Sequence, residues 1–409
     1  MHRILLITSV LPWPLRTNGG AQRTELLRRA LSRHGHVDIV GVGGAELRNP
    51  STTVDELVAA NVVRCFEVRD PPIKPSFFLP GRFGGLARLL AEVHNRYAPN
   101  PELVEWVAEA HKVHSYKLIV SRYLAPALQA RVGRLGHVPL VLDLDDVDWQ
   151  TIASSVEANP WSGINGKIGS FLVLRQVEAI CKHSLDMFQH IWVTNEHDRK
   201  LLKHQHCSVL PNIPFTDVAG SQELTVPPAD SSLQLLFVGD LQFPPNRDGL
   251  TRFIRNVWPH VYGSVSNATV TIIGRGLREQ DRSEWSTVPG INVVGFVADL
   301  RKFYASCAFT IVPVYFGGGT KIKILESLFY GRTCVTTQQS LRGMEALVGS
   351  SPSVMATEDD NQFAQACVTL LLQPQVRMSL AERGNHVIAS QFSFTRFSAI
   401  VRETVAPLL

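Results

Sequence analysis

The feature that most constrains this chain is an alternation of short apolar runs with longer amphipathic stretches. In the first half the apolar runs are residues 4–10, 37–42, 118–120, 139–144 and 191–193, and in the second half they are residues 233–238, 268–273, 291–294, 309–312 and 333–336. Strand-length apolar runs separated by helix-length segments are typical of parallel sheets with helices on both faces. The sequence therefore predicts two doubly wound, Rossmann-like α/β domains.

A polar, proline-rich stretch separates the two halves. Residues 210–214 contain two prolines, and residues 227–232 read Pro-Pro-Ala-Asp-Ser-Ser, a composition typical of a domain boundary and a surface loop. We predict a first domain over residues 1–212 and a second over residues 213–390. We further expect residues 391–409 to form a C-terminal helix that crosses back to the first domain.

Composition excludes several classes of protein. A net charge of +4 over 409 residues is too small for a nucleic-acid-binding protein, and no uninterrupted run of about 20 apolar residues predicts a transmembrane helix. The six cysteines lie far apart, without the spacing of metal ligands, which favours reduced side chains. These features predict a cytoplasmic protein.

Two segments leave peripheral membrane contact open. A helix-like basic segment after Gly20 either forms a solvated face or binds anionic lipid or a phosphate-bearing acceptor; its basic residues are Arg23, Arg28, Arg29, Arg33, His34 and His36. Residues 73–83 mix aromatic and basic side chains, as loops at a membrane interface do, but a partly buried loop has the same composition.

Glycines follow several predicted strands, at the edge of an α/β sheet where ligands bind. Gly19 and Gly20 precede a helix, so they either expose amides to an anion or form only a tight turn. Gly239 follows the strand at 233–238, with Arg247 in the next helix. Arg275 follows the strand at 268–273 and either binds phosphate or covers the sheet edge.

A third glycine-rich segment carries the clearest pattern, Gly-Gly-Gly-Thr-Lys-Ile-Lys-Ile-Leu-Glu over residues 317–326. We predict that Thr320 caps a helix whose free amides, with Lys321 and Lys323, form an anion cradle. Glu326 lies about 7 to 9 Å farther along the helix axis, where a carboxylate accepts hydrogen bonds from ribose hydroxyls. The alternative is an ordinary surface pair of Lys323 with Glu326.

In this order, these blocks resemble the retaining glycosyltransferases of family 4, the group 1 transferases, and particularly their bacterial polysaccharide and glycolipid branch. The resemblance includes residues 237–239 with 245–246, 273–276, 295–299 and 317–326. It implies a GT-B fold, in which two Rossmann-like domains face each other across a cleft. The first domain would bind the acceptor and the second a nucleotide-sugar.

The resemblance also implies roles for individual residues. Glu326 matches the second glutamate of the E-x7-E motif, which holds the ribose, and Gly19 and Gly20 match glycines that approach the donor phosphates when the cleft closes. The donor-binding residues implied are Gly19, Gly20, Gly239, Arg247, Arg275, Phe296, Val297, Gly318, Gly319 and Thr320. Phe296 and Val297 would flank the nucleobase, and Arg122, Asp145 and Asp146 are candidates for acceptor binding.

The sequence departs from the family pattern in three segments. Gly318 stands where many members carry the first glutamate of E-x7-E, which contacts the transferred sugar. Residues 121–123 read Ser-Arg-Tyr where many relatives carry a histidine, and Asp240 and Arg247 stand in place of an Arg/Lys pair. These departures leave the transferred sugar and the phosphate contacts open.

Such a site has to stabilise the negative charge on the departing nucleoside diphosphate. We predict that Thr320, Lys321 and Lys323 do so. The candidate catalytic residues are thus Lys321, Lys323 and Glu326. A D-x-D sequence at Asp143 and Asp145 either binds a divalent metal or serves acceptor contacts, and its place in the acceptor domain favours the latter. We expect no metal and no cofactor, a nucleotide-sugar donor, and a glycan or lipid-linked acceptor.

Two other functions fit a Rossmann-like chain. A nucleotide-dependent oxidoreductase requires G-x-G-x-x-G after the first strand, and the sequence has none there. A non-catalytic nucleotide-sugar-binding protein fits the missing glutamate and histidine, although the glycine cradle and Glu326 are retained.

Overall fold

The computed structural model describes residues 2–12, 19–43, 61–67, 95–145, 147, 149–150, 163–214, 232–317 and 320–409. The chain divides into two compact units. The first comprises Met1–Pro211 with Phe397–Leu409, and the second comprises Asn212–Arg396. The sequence predicts domain boundaries at residues 212 and 390. That each of these segments is a separate domain stays a prediction.

The first unit is built on a parallel sheet. Its described strands are β1 (Arg3–Thr8), β2 (His36–Gly43), β3 (Val62–Glu67), β4 (Leu118–Arg122), β5 (Leu140–Asp145), β6 (His190–Val193) and β7 (Cys207–Val209). They are ordered β3-β2-β1-β4-β5-β6-β7, and every pairing is parallel. The helices between them are α1 (Gly19–Leu31), α2 (Pro101–His114), α3 (Leu124–Gln129), α4 (Gly163–Leu185) and α5 (Glu196–Leu202).

Strand β1 shows why this sheet is covered on both faces. Its residues Ile4, Leu5, Leu6 and Ile7 are all fully buried, although neighbouring side chains on a strand point to opposite faces. Burying each such side chain contributes about 1.5–3 kcal/mol relative to leaving it exposed. The continuous apolar run is therefore the sequence signature of a central parallel strand.

The second unit repeats the architecture. Its strands are β8 (Gln234–Val238), β9 (Thr269–Ile273), β10 (Ile291–Gly295), β11 (Phe309–Val312), β12 (Cys334–Thr337) and β13 (Met355–Thr357), ordered β10-β9-β8-β11-β12-β13. All pairings are parallel. Strand order reverses between β8 and β11, which is the switch point where ligands bind in open α/β sheets.

Helices cover this second sheet as well. They are α6 (Pro244–Arg252), α7 (Trp258–Ser264), α8 (Glu279–Trp285), α9 (Arg301–Ser306), α10 (Ile322–Phe329), α11 (Asp360–Leu372) and α12 (Pro374–Gln391). A π-helical turn at Phe253–Val257 joins α6 to α7, and short 3-10 turns lie at Gln338–Leu341 and Glu345–Leu347. The first unit has 3-10 turns at Val132–Arg134 and Ala406–Leu408.

The last helix, α13 (Phe394–Val405), ends the chain in the first unit from Phe397 onward. Phe397 and Val401 are fully buried, and the indole nitrogen of Trp192 donates to Thr404 at 3.1 Å. Apolar packing and this hydrogen bond fix the helix on the first unit.

All ten strands predicted from apolar runs are present, and three further strands of the described residues were not predicted. These are β3, β7 and β13, and each lies at an end of its strand order. Edge strands are covered less completely than central ones, so they carry weaker apolar runs: the three residues of β7 are all half-buried. Within the described residues, no helix is long and apolar enough to cross a bilayer. The candidate membrane loop at 73–83 lies outside them.

Candidate functional site

The predicted ligand-binding edge of the second unit is formed where β8 and β11 lead into α6 and α10. Helix α6 lies directly against the segment after β11, because a Cβ at Gly249 would overlap the carbonyl oxygen of Pro313. A Cβ at Gly274 would likewise overlap the carbonyl oxygen of Gly239. The two glycines therefore let the segments that follow β8, β9 and β11 approach one another.

The start of α10 differs from the prediction by one residue. The helix begins at Ile322, and Lys321 rather than Thr320 occupies the cap position, with no hydrogen bond from its side chain to the first turn. Thr320 lies in the preceding turn, where its carbonyl accepts from the amide of Ile322 at 3.0 Å. Its Oγ1 is buried and has no hydrogen-bond partner among the described residues. A buried hydroxyl without a partner is uncommon and fits a position that a ligand completes.

Lys323 lies at the centre of this edge and is half-buried. Its Nζ donates to Oδ1 of Asn246 at 2.6 Å and lies over the ring of Phe237, 5.1 Å from the centroid. A Cβ at Gly239 would be only 3.0 Å from the same Nζ. Among the described residues no carboxylate lies within ion-pair distance of Lys323, so the alternative of a surface pair with Glu326 is wrong.

Burial lowers the pKa of Lys323 to about 7, and the ammonium of Lys321 acts in the same direction. Glu326 and Asp240 oppose this shift. Lys321 is itself buried and donates to the carbonyl oxygen of Gly317 at 3.2 Å. Two lysines so close together form an electrostatic environment suited to an anion.

The loop after β8 is held by an ion pair. Oδ2 of Asp240 accepts from Nε and from NH2 of Arg275, both at 2.7 Å, and its backbone carbonyl accepts from Nδ2 of Asn246 at 2.8 Å. Of the two alternatives for Arg275, the structure places it as support for the sheet edge. Its possible contact with phosphate stays a prediction.

Arg247 lies in the first turn of α6 and is mostly buried. Its guanidinium has one polar contact among the described residues, a long one of 3.4 Å from NH2 to the neighbouring Asp248. It is therefore only weakly held and fits the predicted role of a phosphate ligand better than Arg275 does.

Glu326 projects from α10 with one oxygen toward a buried tyrosine. The hydroxyl of Tyr304 lies 3.5 Å from Oε2, and the Tyr304 ring stacks on Tyr330 at 4.4 Å. Burial, followed by the negative charge of Glu326, raises the pKa of Tyr304 well above its ordinary value. Tyr304 therefore stays a neutral donor and helps to orient the carboxylate.

Phe296 and Val297 follow the edge strand β10. The Phe296 side chain is 69% exposed, and Val297 is half-buried. An exposed aromatic ring at the ligand-binding edge is compatible with stacking on a base, but the role of this pair stays a prediction. Gly318 and Gly319 lie outside the described residues.

In the first unit, the predicted turn begins α1 at Gly19. The carbonyl of Gly20 accepts from NH1 of Arg122 at 2.6 Å, and NH2 of Arg122 pairs with Asp145 at 2.7 Å. Arg23 pairs with Asp143 at 2.6 Å. Residues from α1, β4 and β5 thus form one buried ion-pair cluster. Asp146, the third candidate for acceptor binding, lies outside the described residues.

The interpretation of the basic segment as one solvated or lipid-facing helix is wrong in part. Arg23 is fully buried, and its guanidinium pairs with the buried Asp143. Arg28 and Arg29 are partly exposed, and both pair with the buried Glu25. The helix ends at Leu31, so Arg33 and His34 follow it, and His36 begins β2.

The D-x-D carboxylates face arginines. Asp143 pairs with Arg23, and Asp145 pairs with Arg122, so positive charge already satisfies both. The described part of the chain holds no cluster of three histidine, cysteine, aspartate or glutamate side chains that fits a metal ion.

The second unit also carries a family signature. Residues 232–373 match the model of the family Glycosyl transferases group 1. The match includes β8 to β13 and every side chain of the edge described above. No curated protein sequence matches the chain significantly.

Solved glycosyltransferase structures resemble the whole chain. Sucrose-phosphate synthase from Thermosynechococcus elongatus matches with a TM-score of 0.66 at 14% identity, over 100% of this chain and 99% of that one. HepE of Anabaena, in complex with UDP and glucose, matches with a TM-score of 0.61 at 15% identity, over 98% and 99%. TarM of S. aureus matches with a TM-score of 0.66 at 8% identity, over 100% and 99%. At these identities the likeness shows the fold: the chain has the GT-B fold with two Rossmann-like domains.

Within the group 1 glycosyl transferase segment, sequence reasoning found Lys323, Lys321 and Glu326 but assigned no role to Asn246, Phe237 or Tyr304. The pair Pro245-Asn246 belongs to one of the sequence blocks that carry the family resemblance. Its contact with Lys323 joins residues 77 positions apart. No local pattern predicts such a contact.

Proposed function

We propose that this chain is a retaining glycosyltransferase that moves a sugar from a nucleotide-diphosphate sugar to an acceptor. The observation that carries the proposal is Lys323, a half-buried lysine at the switch point between β8 and β11. The turn before its helix holds Thr320, whose buried hydroxyl has no partner among the described residues. Both lie in the segment that matches the group 1 glycosyl transferases.

The proposed chemistry is electrostatic. As the glycosidic bond breaks, negative charge grows on the departing nucleoside diphosphate, and Lys323, Lys321 and Arg247 supply positive charge there. The hydroxyl of Thr320 supplies a further donor. Fixed donors in a partly dry site cost little reorganisation during the reaction, which is why they stabilise the transition state efficiently.

Glu326 is proposed to hold the nucleoside. A carboxylate accepts hydrogen bonds from ribose hydroxyls, and the contact of Oε2 with the Tyr304 hydroxyl at 3.5 Å helps to orient it. HepE of Anabaena has been solved with UDP-glucose, which supports a nucleotide-sugar as the class of donor.

Retention of configuration and the class of acceptor are further parts of the proposal. They rest on the family resemblance of the sequence blocks, which also implies a glycan or lipid-linked acceptor on the first domain. Of the two described acceptor candidates, the Arg122 side chain is fully buried, whereas that of Asp145 is 14% exposed. The anomeric configuration of the product, determined by NMR, tests retention.

The function is tested by a thermal-shift and hydrolysis screen of UDP-, GDP-, ADP- and dTDP-sugars against the wild type and Glu326→Ala. We expect one nucleotide to raise the melting temperature of the wild type and to lose that effect in the variant. Glu382→Ala, which changes an exposed glutamate of α12, is the matched control and should respond like the wild type. No response to any donor would refute the proposal.

The alternative is a nucleotide-sugar-binding protein without turnover. It is favoured by Gly318, which provides no side chain where many family members place a carboxylate on the transferred sugar. Donor binding that depends on Glu326, without hydrolysis or transfer to any of a panel of acceptors, would favour this alternative.

A further inference from the structure

Asn246 joins two parts of the candidate donor site. It is buried, and the two ends of its side-chain amide are engaged in different directions. Nδ2 donates to the backbone carbonyl of Asp240 at 2.8 Å, while Oδ1 accepts from Nζ of Lys323 at 2.6 Å. Because the amide orientation is fixed by the carbonyl, the oxygen is turned toward the lysine.

A neutral amide oxygen has a particular consequence for a lysine. It accepts a hydrogen bond from either the ammonium or the amine, so it orients Nζ in both protonation states without supplying negative charge. An aspartate in its place would hold the ammonium as a buried ion pair and compete with any bound anion. Asn246 therefore leaves the charge of Lys323 unmatched within the described residues.

The other charged groups around Lys323 do not neutralise it. Lys321, at the cap of its helix, lowers the pKa of Lys323, whereas Glu326 on the same helix raises it without forming an ion pair with it. After β8, Asp240 is bound to Arg275 from the loop after β9. On α6, Arg247 and Asp248 contact each other at 3.4 Å, and among the described residues neither forms an ion pair with Lys323.

We propose that Asn246 is a positioning residue that keeps Lys323 as an uncommitted amine in the free protein, so that binding of a nucleoside diphosphate draws a proton onto Lys323. The inference rests on the proposed function, since the diphosphate is the expected ligand of this edge. The proton comes from solvent, and no covalent bond is made or broken.

The lowered pKa of Lys323 sets the expected size of the effect. With its pKa near 7 in the free protein, Lys323 is mostly neutral at pH 8, whereas beside a diphosphate it is charged. Binding at pH 8 should therefore take up roughly 0.9 proton, and affinity should fall roughly tenfold per pH unit between 8 and 9. The change in affinity with pH and the number of protons taken up must agree, because both report the protonation of Lys323 on binding.

Isothermal titration calorimetry of the full chain with UDP, GDP, ADP and dTDP at pH 8 tests this. Runs in Tris and in HEPES, which differ in ionisation enthalpy, give the number of protons taken up; phosphate buffer is avoided because phosphate would compete for the site. UDP-glucose serves as a probe that lacks a terminal phosphate able to titrate. The variants are Lys323→Met, Asn246→Asp and, as a control on an exposed lysine of α9, Lys302→Met.

The wild type and Lys302→Met should take up close to one proton. Lys323→Met should take up none and bind more weakly. Asn246→Asp should bind more weakly with little proton uptake, because the new carboxylate keeps Lys323 charged before the ligand arrives. A merely structural role of Asn246 would weaken binding without changing the proton count, which would overturn the assignment.

Two further outcomes separate this inference from the proposed function. Binding that depends on Glu326 but takes up no proton in the wild type would overturn the inference and leave the function intact. No binding of any nucleotide would overturn both. Thermal unfolding of each variant, compared with the wild type, distinguishes a lost contact from a lost fold.

Discussion

Nζ of Lys323 lies 2.6 Å from Oδ1 of Asn246, with the ring of Phe237 beneath it and no carboxylate in ion-pair contact among the described residues. A lysine buried in this way is costly to charge, and folded proteins usually give it a partner or keep it for function. Its position at the switch point between β8 and β11 makes function the better explanation.

Replacing Lys323 with methionine should lower kcat by about 10²–10³, the usual cost of removing one electrostatic donor from a transition state. The KM for the acceptor should change little, because the lysine lies in the unit proposed to bind the donor. Steady-state kinetics with the donor identified in the screen measure both. Lys302→Met should retain wild-type rates, and equal turnover in Lys323→Met would contradict the assigned role.

Glu326→Gln should weaken binding of the nucleoside diphosphate by roughly 10- to 100-fold, since hydrogen bonds to a charged group contribute about 1.5–3 kcal/mol. Inorganic pyrophosphate has no ribose, so its affinity should be unchanged. Competition calorimetry with both ligands makes the comparison. Equal losses for the two ligands would place Glu326 at the phosphates instead.

Lys323 should also make the stability of the free protein depend on pH. Its pKa in the folded protein, about 7, lies below its ordinary value of 10.5, so between these values the unfolded chain binds more protons. The free energy of unfolding therefore rises with pH over this window, and the penalty is complete below pH 7. Lys323→Met should be more stable than the wild type at pH 7 and lose this slope.

Urea unfolding at pH 7, 8.5 and 10 measures the difference between the two proteins. Using the difference removes the contributions of all other titrating groups. A stability gap that is constant across the three values would contradict the burial of a titrating lysine at this position.

Removing Arg23 should destabilise the first unit strongly. Arg23→Met removes the closer of the two arginine partners of the buried Asp143, which then keeps only Arg122 at 3.3 Å, and removing one partner of a buried ion pair costs about 3–5 kcal/mol. Arg29→Met removes a partly exposed partner of Glu25, which retains Arg28, and should cost less than about 1 kcal/mol. Chemical denaturation of both variants compares them, and similar losses would show that the Arg23 pair contributes no more than a surface pair.

Transferase activity should be resistant to EDTA. Both D-x-D carboxylates, Asp143 and Asp145, are paired with arginines, so a divalent cation would have to displace a guanidinium from each. Activity assays with EDTA, and with added Mg²⁺ or Mn²⁺, test the expectation. Loss of activity that the metal restores would show that donor and metal rearrange this cluster.

The sequence by itself determined the architecture. Runs such as 4–10 and 309–312 predict buried parallel strands because both faces of such a strand lose contact with water. The glycines after β8 and β9 and before α10 predict the candidate ligand-binding edge, and at Gly274 only glycine allows the close approach to the carbonyl of Gly239. Strand burial and glycine positions are local constraints, so local sequence patterns are sufficient to predict them.

Tertiary structure alone decided which charges meet. Arg23 and Asp143 are 120 positions apart, and nothing in the spacing of the basic residues between Arg23 and His36 distinguishes Arg23, which is buried, from Arg33, which is exposed. The edge strands β3, β7 and β13 likewise depend on a neighbour to pair with. Lys323 acquires its unusual proton affinity only when folding places Asn246 and Phe237 around it, because desolvation belongs to the assembled site and not to any segment of the chain.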